Sequence, residues 1–148
     1  MADDRKLSET LDAVAEATAV LQEPWWVIGS TAAFLIGLDE QPADVDLLTS
    51  EADARRLLKH WSLEAGPPNP SPLFHSAVFA TARMAPLPIE VMGDLRVRGE
   101  PLDPRTRLAV PWRDRLLHVP ALGEQIAILE WFGRDKDLRR AERLRTLL

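Results

Sequence analysis

Cysteine is absent from the 148 residues. No disulfide can brace the fold, no thiolate can hold a metal, and a reducing compartment suits such a chain. No apolar run approaches the roughly 20 residues of a membrane span. The opening MADDRKLSET is too polar for a signal peptide, so a cytoplasmic protein without a membrane segment is expected. No pair of histidines has metal-ligand spacing, and no Ser/His/Asp order with a nucleophile elbow occurs. Internal repeats and low-complexity tails are missing too. What remains is 46% hydrophobic and 28% charged, the composition of an ordinary globular protein. One domain over 1–148 is expected, large enough to bury a core, with C-terminal helices over 121–148 packing on it.

Charge is unevenly spread. Residues 1–92 hold 6 Lys/Arg against 14 Asp/Glu, whereas residues 93–148 hold 12 against 9. An acidic total argues against tight nonspecific nucleic-acid binding. Opposite halves also suit a cleft whose two walls do different jobs. The final helix carries Arg139, Arg140, Arg143 and Arg145, ordinarily a solvated face, although beside a cleft it would suit RNA.

Leu7, Leu11, Val14, Thr18 and Leu21 recur at helical spacing and predict an amphipathic helix closed by Pro24. Trp25 to Ile28 reads as a buried strand, Ser30 to Gly37 as a short buried helix, and Val45 to Leu48 as a second strand. Ser50 or Thr49 can cap a helix from Glu51 to about Trp61. Gly66 to Pro72, with four prolines, is a loop inside the domain and a candidate rim. Leu73–Arg83 and Leu87–Met92 read as strands joined by Met84-Ala85-Pro86. Further short strands are expected at Arg96–Arg98 and Leu116–Val119. A helix opens at Pro120-Ala121 and stops at Gly133; the last begins near Asp135 with Leu138, Ala141, Leu144 and Leu148 inward. This order implies an α/β or α+β fold, a small mixed β-sheet flanked by helices.

The chemistry gathers in Trp25–Thr49. Strand side chains alternate faces, so Asp44 and Asp46 point the same way. Glu90, between Ile89 and Val91, is a third acid in an otherwise apolar strand. Such a residue needs a partner, whether Arg83 or a shared ion. The three carboxylates converge only if the strand of Glu90 lies beside that of Asp46. If they do, like charges must be neutralised by protons or by a cation. Oxygen-only ligands favour a hard ion, Mg²⁺ or Mn²⁺, over zinc. Gly29-Ser30 opens a helix where free N–H groups and the Ser30 hydroxyl can meet phosphate. Each feature alone has an ordinary reading: a solvated strand edge, an N-cap, an edge-strand glutamate.

Gly29-Ser30, thirteen residues, Asp44-Val45-Asp46 and a later strand acid at Glu90 together resemble the nucleotidyltransferase (polymerase beta-like) superfamily. Gly133-Arg134-Asp135-Lys136-Asp137-Leu138 resembles a "GRxKD" helix start of small bacterial members, including AbiEii-like toxins and aminoglycoside-modifying relatives. The match spans roughly residues 20–140. It implies that Gly29 and Ser30 hold the triphosphate of an NTP, ATP by preference. Asp44 and Asp46 would ligate Mg²⁺, and Glu90 would serve as ligand or as base for an acceptor hydroxyl. Lys136 would reach phosphate, unless it only pairs along its own helix. The implied activity is transfer of AMP to a hydroxyl of a small molecule, protein or RNA. The alternative is a silent module that binds a nucleotide or a partner, such as one half of a toxin–antitoxin pair. A homodimer or partner protein would complete so small a cleft. One stretch departs from the pattern: many relatives carry Arg and Thr or Ser shortly before the acid pair, where this chain has Asp39-Glu40-Gln41-Pro42-Ala43.

Overall fold

A mixed sheet places the three acids. In the computed structural model, which describes residues 2–67 and 71–148, β1 (Trp26–Ile28) and β2 (Val45–Thr49) pair antiparallel. β2 pairs parallel with β4 (Ile89–Val97), and β4 pairs antiparallel with β3 (Phe74–Ala82). The order across the sheet is β1-β2-β4-β3, with the two-residue β5 (Glu100–Pro101) on the far end of β4. A parallel pair needs a crossover connection. Here the crossover runs through α3 (Glu51–His60) and β3.

Helix α1 (Ala2–Ala17), followed by a 3-10 turn at Thr18–Val20, and α3 cover one face of the sheet. Leu7, Leu11 and Val14 meet Val45, Leu47, Leu57, Ile89 and Val91 in one apolar cluster, all buried. Leu47 is fully enclosed, and truncating such a side chain to alanine costs about 2–5 kcal/mol. Ser50 caps α3 by accepting the Asp53 N–H at 3.1 Å. Asp53 is itself buried and accepts the backbone N–H groups of Gln22 and Glu23, each at 2.9 Å, and the Arg56 guanidinium at 2.7 Å. The run-in to β1 is thereby anchored, and the buried carboxylate is fully paired.

The other face is only partly covered. Helix α2 (Gly29–Leu35) follows β1 directly, and α4 (Leu122–Phe132) with α5 (Asp135–Arg145) closes over it through Ala33, Leu38, Val97, Ile126, Leu129, Phe132, Ala141 and Leu144. A hairpin of β6 (Leu108–Trp112) and β7 (Arg115–Val119) joins the core through Leu117 and Val119. No described helix is long and apolar enough to cross a membrane.

Three features depart from the sequence pattern. β4 does not stop at Met92: it runs on through Asp94, whose φ of +56° inverts the alternation, so Met92 and Leu95 share one apolar cluster. β6 forms despite Pro111, which occupies a two-stranded ribbon where the loss of one N–H is tolerated. The inward face of α5 is Asp137, Ala141 and Leu144, while Leu138 is 45% and Leu148 80% exposed. Residues 68–70 of the proline-rich segment lie outside the described residues.

Candidate active site

Strand β1 ends at Ile28, and the chain turns into α2 at Gly29 with φ +73°. Only glycine adopts that conformation without strain. A Cβ there would also sit 2.8 Å from Asp46 Oδ2, so the glycine makes room for the carboxylate as well as for the turn. Ile28 is the register partner of Asp46, which fixes this approach. One residue after Ser30, the Thr31 hydroxyl donates to the Asp44 carbonyl at 2.7 Å and ties the start of α2 to the entry of β2.

On the other side of β2, Asp46 is the register partner of Glu90 in the parallel ladder. Asp44 precedes Asp46 by two residues and faces the same way. Ligand oxygens of Asp44, Asp46 and Glu90 all lie within 4.8 Å of one another. Asp46 Oδ1 is buried and has no hydrogen-bond partner among the described residues. Burial above all, and then the charges of Asp44 and Glu90, hold the Asp46 carboxyl well above the usual carboxylate range. Burial raises Asp44, offset in part by Lys136 and Arg140. Burial and Asp44 raise Glu90, which a hydrogen bond from Asp46, with Lys136 and Arg83, pulls back. Three carboxylates this close oppose full ionisation together, so the cluster favours either a retained proton or a cation.

The opposite wall is the junction of α4 and α5. Gly133, φ +77°, closes α4 in the left-handed conformation, and its N–H reaches Leu129 O at 3.0 Å. Arg134 caps α5. Its guanidinium donates to Asp137 at 2.6 and 3.0 Å and stacks 4.8 Å over the Phe74 ring. Asp137 is buried beneath it. This locks the first turn of α5, and the adjacent Lys136 lines the carboxylate cavity. Lys136 draws the pKa of all three carboxyls down, which places its charge beside the cluster.

Two clefts of about 260 Å³ each meet at these acids. One is walled by Gly29, Ser30, Glu40, Asp44, Asp46, Lys136 and Arg140. The other is walled by Asp46, Glu90, Phe74, Met92, Phe132 and Arg134. Leu95 separates the second from a larger cleft of about 430 Å³ farther along the same sheet face, lined by Trp26, Glu23, Glu51, Asp94 and Asp103.

All six residues singled out in the sequence thus line adjoining clefts. Arg134, Phe74, Phe132, Glu40 and Arg140 were not singled out for the site. Arg134 had a signal in its place beside Gly133, whereas the aromatic pair comes from β3 and α4 and is joined only by folding. Trp112 and Trp131 do not line the acid clefts: the Trp112 indole N–H donates to Asp12 at 2.9 Å, and Trp131 packs on the α4 cluster. His60 and His75 are exposed, and His118 stacks edge-on against Trp25 at 5.0 Å. In the acidic turn before Asp44, Glu40 is not free charge, because Arg140 pairs with it at 2.8 Å. None of the described residues of the proline-rich segment lines the acid clefts.

No family model matches the chain, and no curated protein is significantly similar to it. Among solved structures, the fold matches a Thermotoga maritima protein described as a "putative nucleotidyltransferase". The TM-score is 0.72, over 93% of this chain and 89% of that chain, at 22% sequence identity. At that identity the likeness shows the fold alone: this chain shares the architecture of that protein over most of its length.

Proposed function

We propose that the protein is a divalent-metal-dependent nucleotidyltransferase that moves a nucleoside monophosphate, AMP by preference, from an NTP to a hydroxyl acceptor. The observation that carries this reading is the convergence of Asp44, Asp46 and Glu90 around an unpartnered, buried Asp46 oxygen, beside the Gly29-Ser30 turn. The donor set fits a hard cation. It is all oxygen, it repels itself when ionised, and Asp46 Oδ1 lacks any other partner among the described residues. Asp44, Asp46 and Glu90 would hold Mg²⁺ or Mn²⁺, which supplies positive charge and Lewis acidity toward phosphate oxygens.

The chain's own residues divide the remaining work. Gly29 lets a phosphate approach the backbone at the start of α2, and the Ser30 hydroxyl adds a donor. Lys136, fixed by the Arg134–Asp137 cap, adds charge on the polyphosphate side. Glu90 accepts the acceptor's proton as its oxygen bonds to the α-phosphorus and the bond to pyrophosphate breaks. The acceptor would enter from the 430 Å³ cleft, whose walls carry Glu23, Glu51, Asp94 and Asp103 and, among the described residues, no lysine or arginine. Such walls favour a neutral or cationic small molecule or protein segment over RNA. A homodimer or partner chain that roofs the sheet face is compatible with the exposure of this cleft.

The test is pyrophosphate release and transfer of label from α-labelled NTPs, ATP first, with Mg²⁺ or Mn²⁺ present. Asp44→Asn and Asp46→Asn proteins should lose all measurable transfer; retention of wild-type turnover would falsify the reading. Three acids converging intact support an enzyme over the silent nucleotide- or partner-binding module, for which binding without turnover is the signature.

A further inference from the structure

The acidic turn that departs from the nucleotidyltransferase pattern has a structural partner. Glu40 is 11% exposed, and its two oxygens receive Arg140 Nη2 at 2.8 Å and Nε at 3.0 and 3.2 Å. Arg143 Nη1 stands 3.6 Å away, and Arg143 also donates to the Asp39 carbonyl. A carboxylate gripped by a guanidinium fork has the geometry of a bound phosphate. Arg140 lies one helical turn beyond Lys136, so both project from one face of α5. Both line the cleft that contains Gly29 and Ser30. The Arg140 charge reaches far enough to lower the Asp44 pKa. Asp39 to Pro42 has no regular secondary structure, so the segment carrying Glu40 can move without breaking a strand or helix.

Building on the nucleotidyltransferase reading, we propose that Glu40 is an internal stand-in for a nucleotide phosphate. It holds Arg140 while the cleft is empty of nucleotide. Entering polyphosphate displaces it, and Arg140 then joins Lys136 as a second phosphate-binding cation. Glu40 thereby sets the affinity for the donor: each binding event must first break the Glu40–Arg140 fork. The same exchange spares the ligand-free cleft an uncompensated cluster of guanidinium charge. A mere strut between the turn and α5 would make the opposite prediction, since removing it would disorder the cleft and weaken binding.

Calorimetric titration with Mg²⁺-ATP and with Mg²⁺-tripolyphosphate separates the two. Glu40→Gln and Glu40→Ala should each bind both ligands about tenfold more tightly than wild type, the order of one charge-assisted contact no longer contested. Asp39→Asn, which removes the same charge one residue earlier but frees no guanidinium, should stay within about twofold. Glu40→Gln combined with Arg140→Gln should bind like Arg140→Gln alone. Tightening that survives the loss of Arg140, or that Asp39→Asn reproduces, overturns the exchange and leaves only a general charge effect. Weaker binding by both Glu40 variants overturns it in favour of the strut. If neither ligand binds wild type or any Glu40 variant, the nucleotide reading beneath it falls as well.

Discussion

At the scale of single residues, Asp46 has the greatest leverage. Its carboxyl is raised by burial and by Asp44 and Glu90, so the folded chain binds this proton more tightly than the unfolded chain does. The resulting penalty is absent below the unfolded carboxylate range, grows as pH rises through the folded value, and is complete above it. Metal-free Asp46→Asn protein should therefore be more stable than wild type at about pH 8, and the two should converge near about pH 4. Thermal melts across that range, in chelator, read the difference directly. The same variant should lose the Mg²⁺-induced rise in melting temperature. Gly29 offers a complementary test. Its φ of +73° and the 2.8 Å approach of Asp46 Oδ2 to any Cβ make Gly29→Ala doubly unfavourable. A loss of about 1–3 kcal/mol in chemical denaturation is expected, together with loss of Mg²⁺ binding, because the carboxylate must move.

At the scale of elements, the first turn of α5 carries two separable roles. Asp137 is buried and accepts the Arg134 guanidinium and backbone N–H, so Asp137→Ala should cost about 2–4 kcal/mol and release the Arg134 stack on Phe74. Lys136 is exposed and takes part in none of the ion pairs among the described residues. Lys136→Met should leave stability within about 0.5 kcal/mol but weaken Mg²⁺-ATP by about tenfold, seen in parallel melts and titrations. This distinction was only half visible in the sequence. Periodicity located α3, α4 and the strand of the acid pair within a residue or two, because their apolar spacing is strong; it found α1 but not its bounds, since the helix begins at Ala2 and yields to a 3-10 turn after Ala17. It misjudged α5, taking Leu138 inward, because the buried Asp137 is an ion-paired residue that a hydrophobic count scores as surface. It also cut β4 short at Met92, because Gly93-Asp94 reads as a breaker. In the sheet, Gly93 is demanded by Ala54 of α3, which would meet its Cβ at 2.6 Å. The acid pair was legible because its two members stand two residues apart, one just before β2 and one within it. Its union with Glu90 was conditional, since which strand lies beside which is decided by tertiary packing that no local pattern encodes.

Across the whole molecule, the charge asymmetry resolves into pairs. Arg140 and Arg143 pair with Glu40, and Arg145 with Glu130 and Glu142, so the basic face of the last helix is largely compensated. With four acids around the large cleft, the protein should show no gel shift with RNA at about 0.15 M salt. Divalent cation, by contrast, should raise thermal stability in proportion to the logarithm of its concentration, as a ligand of the native state alone.

The parallel pairing of β2 with β4 has a kinetic consequence. The acids come together only after the chain from Ser50 to Pro88 has looped through α3 and β3 and returned to the sheet, a nonlocal closure that is slow compared with helix formation. On the proposed metal-dependent reading, cation affinity then belongs to the finished fold and to little that precedes it. In stopped-flow experiments, Mg²⁺ should slow unfolding while leaving the refolding rate almost unchanged. Uptake of Mn²⁺ during refolding, followed by its electron spin resonance signal, should lag the recovery of helix.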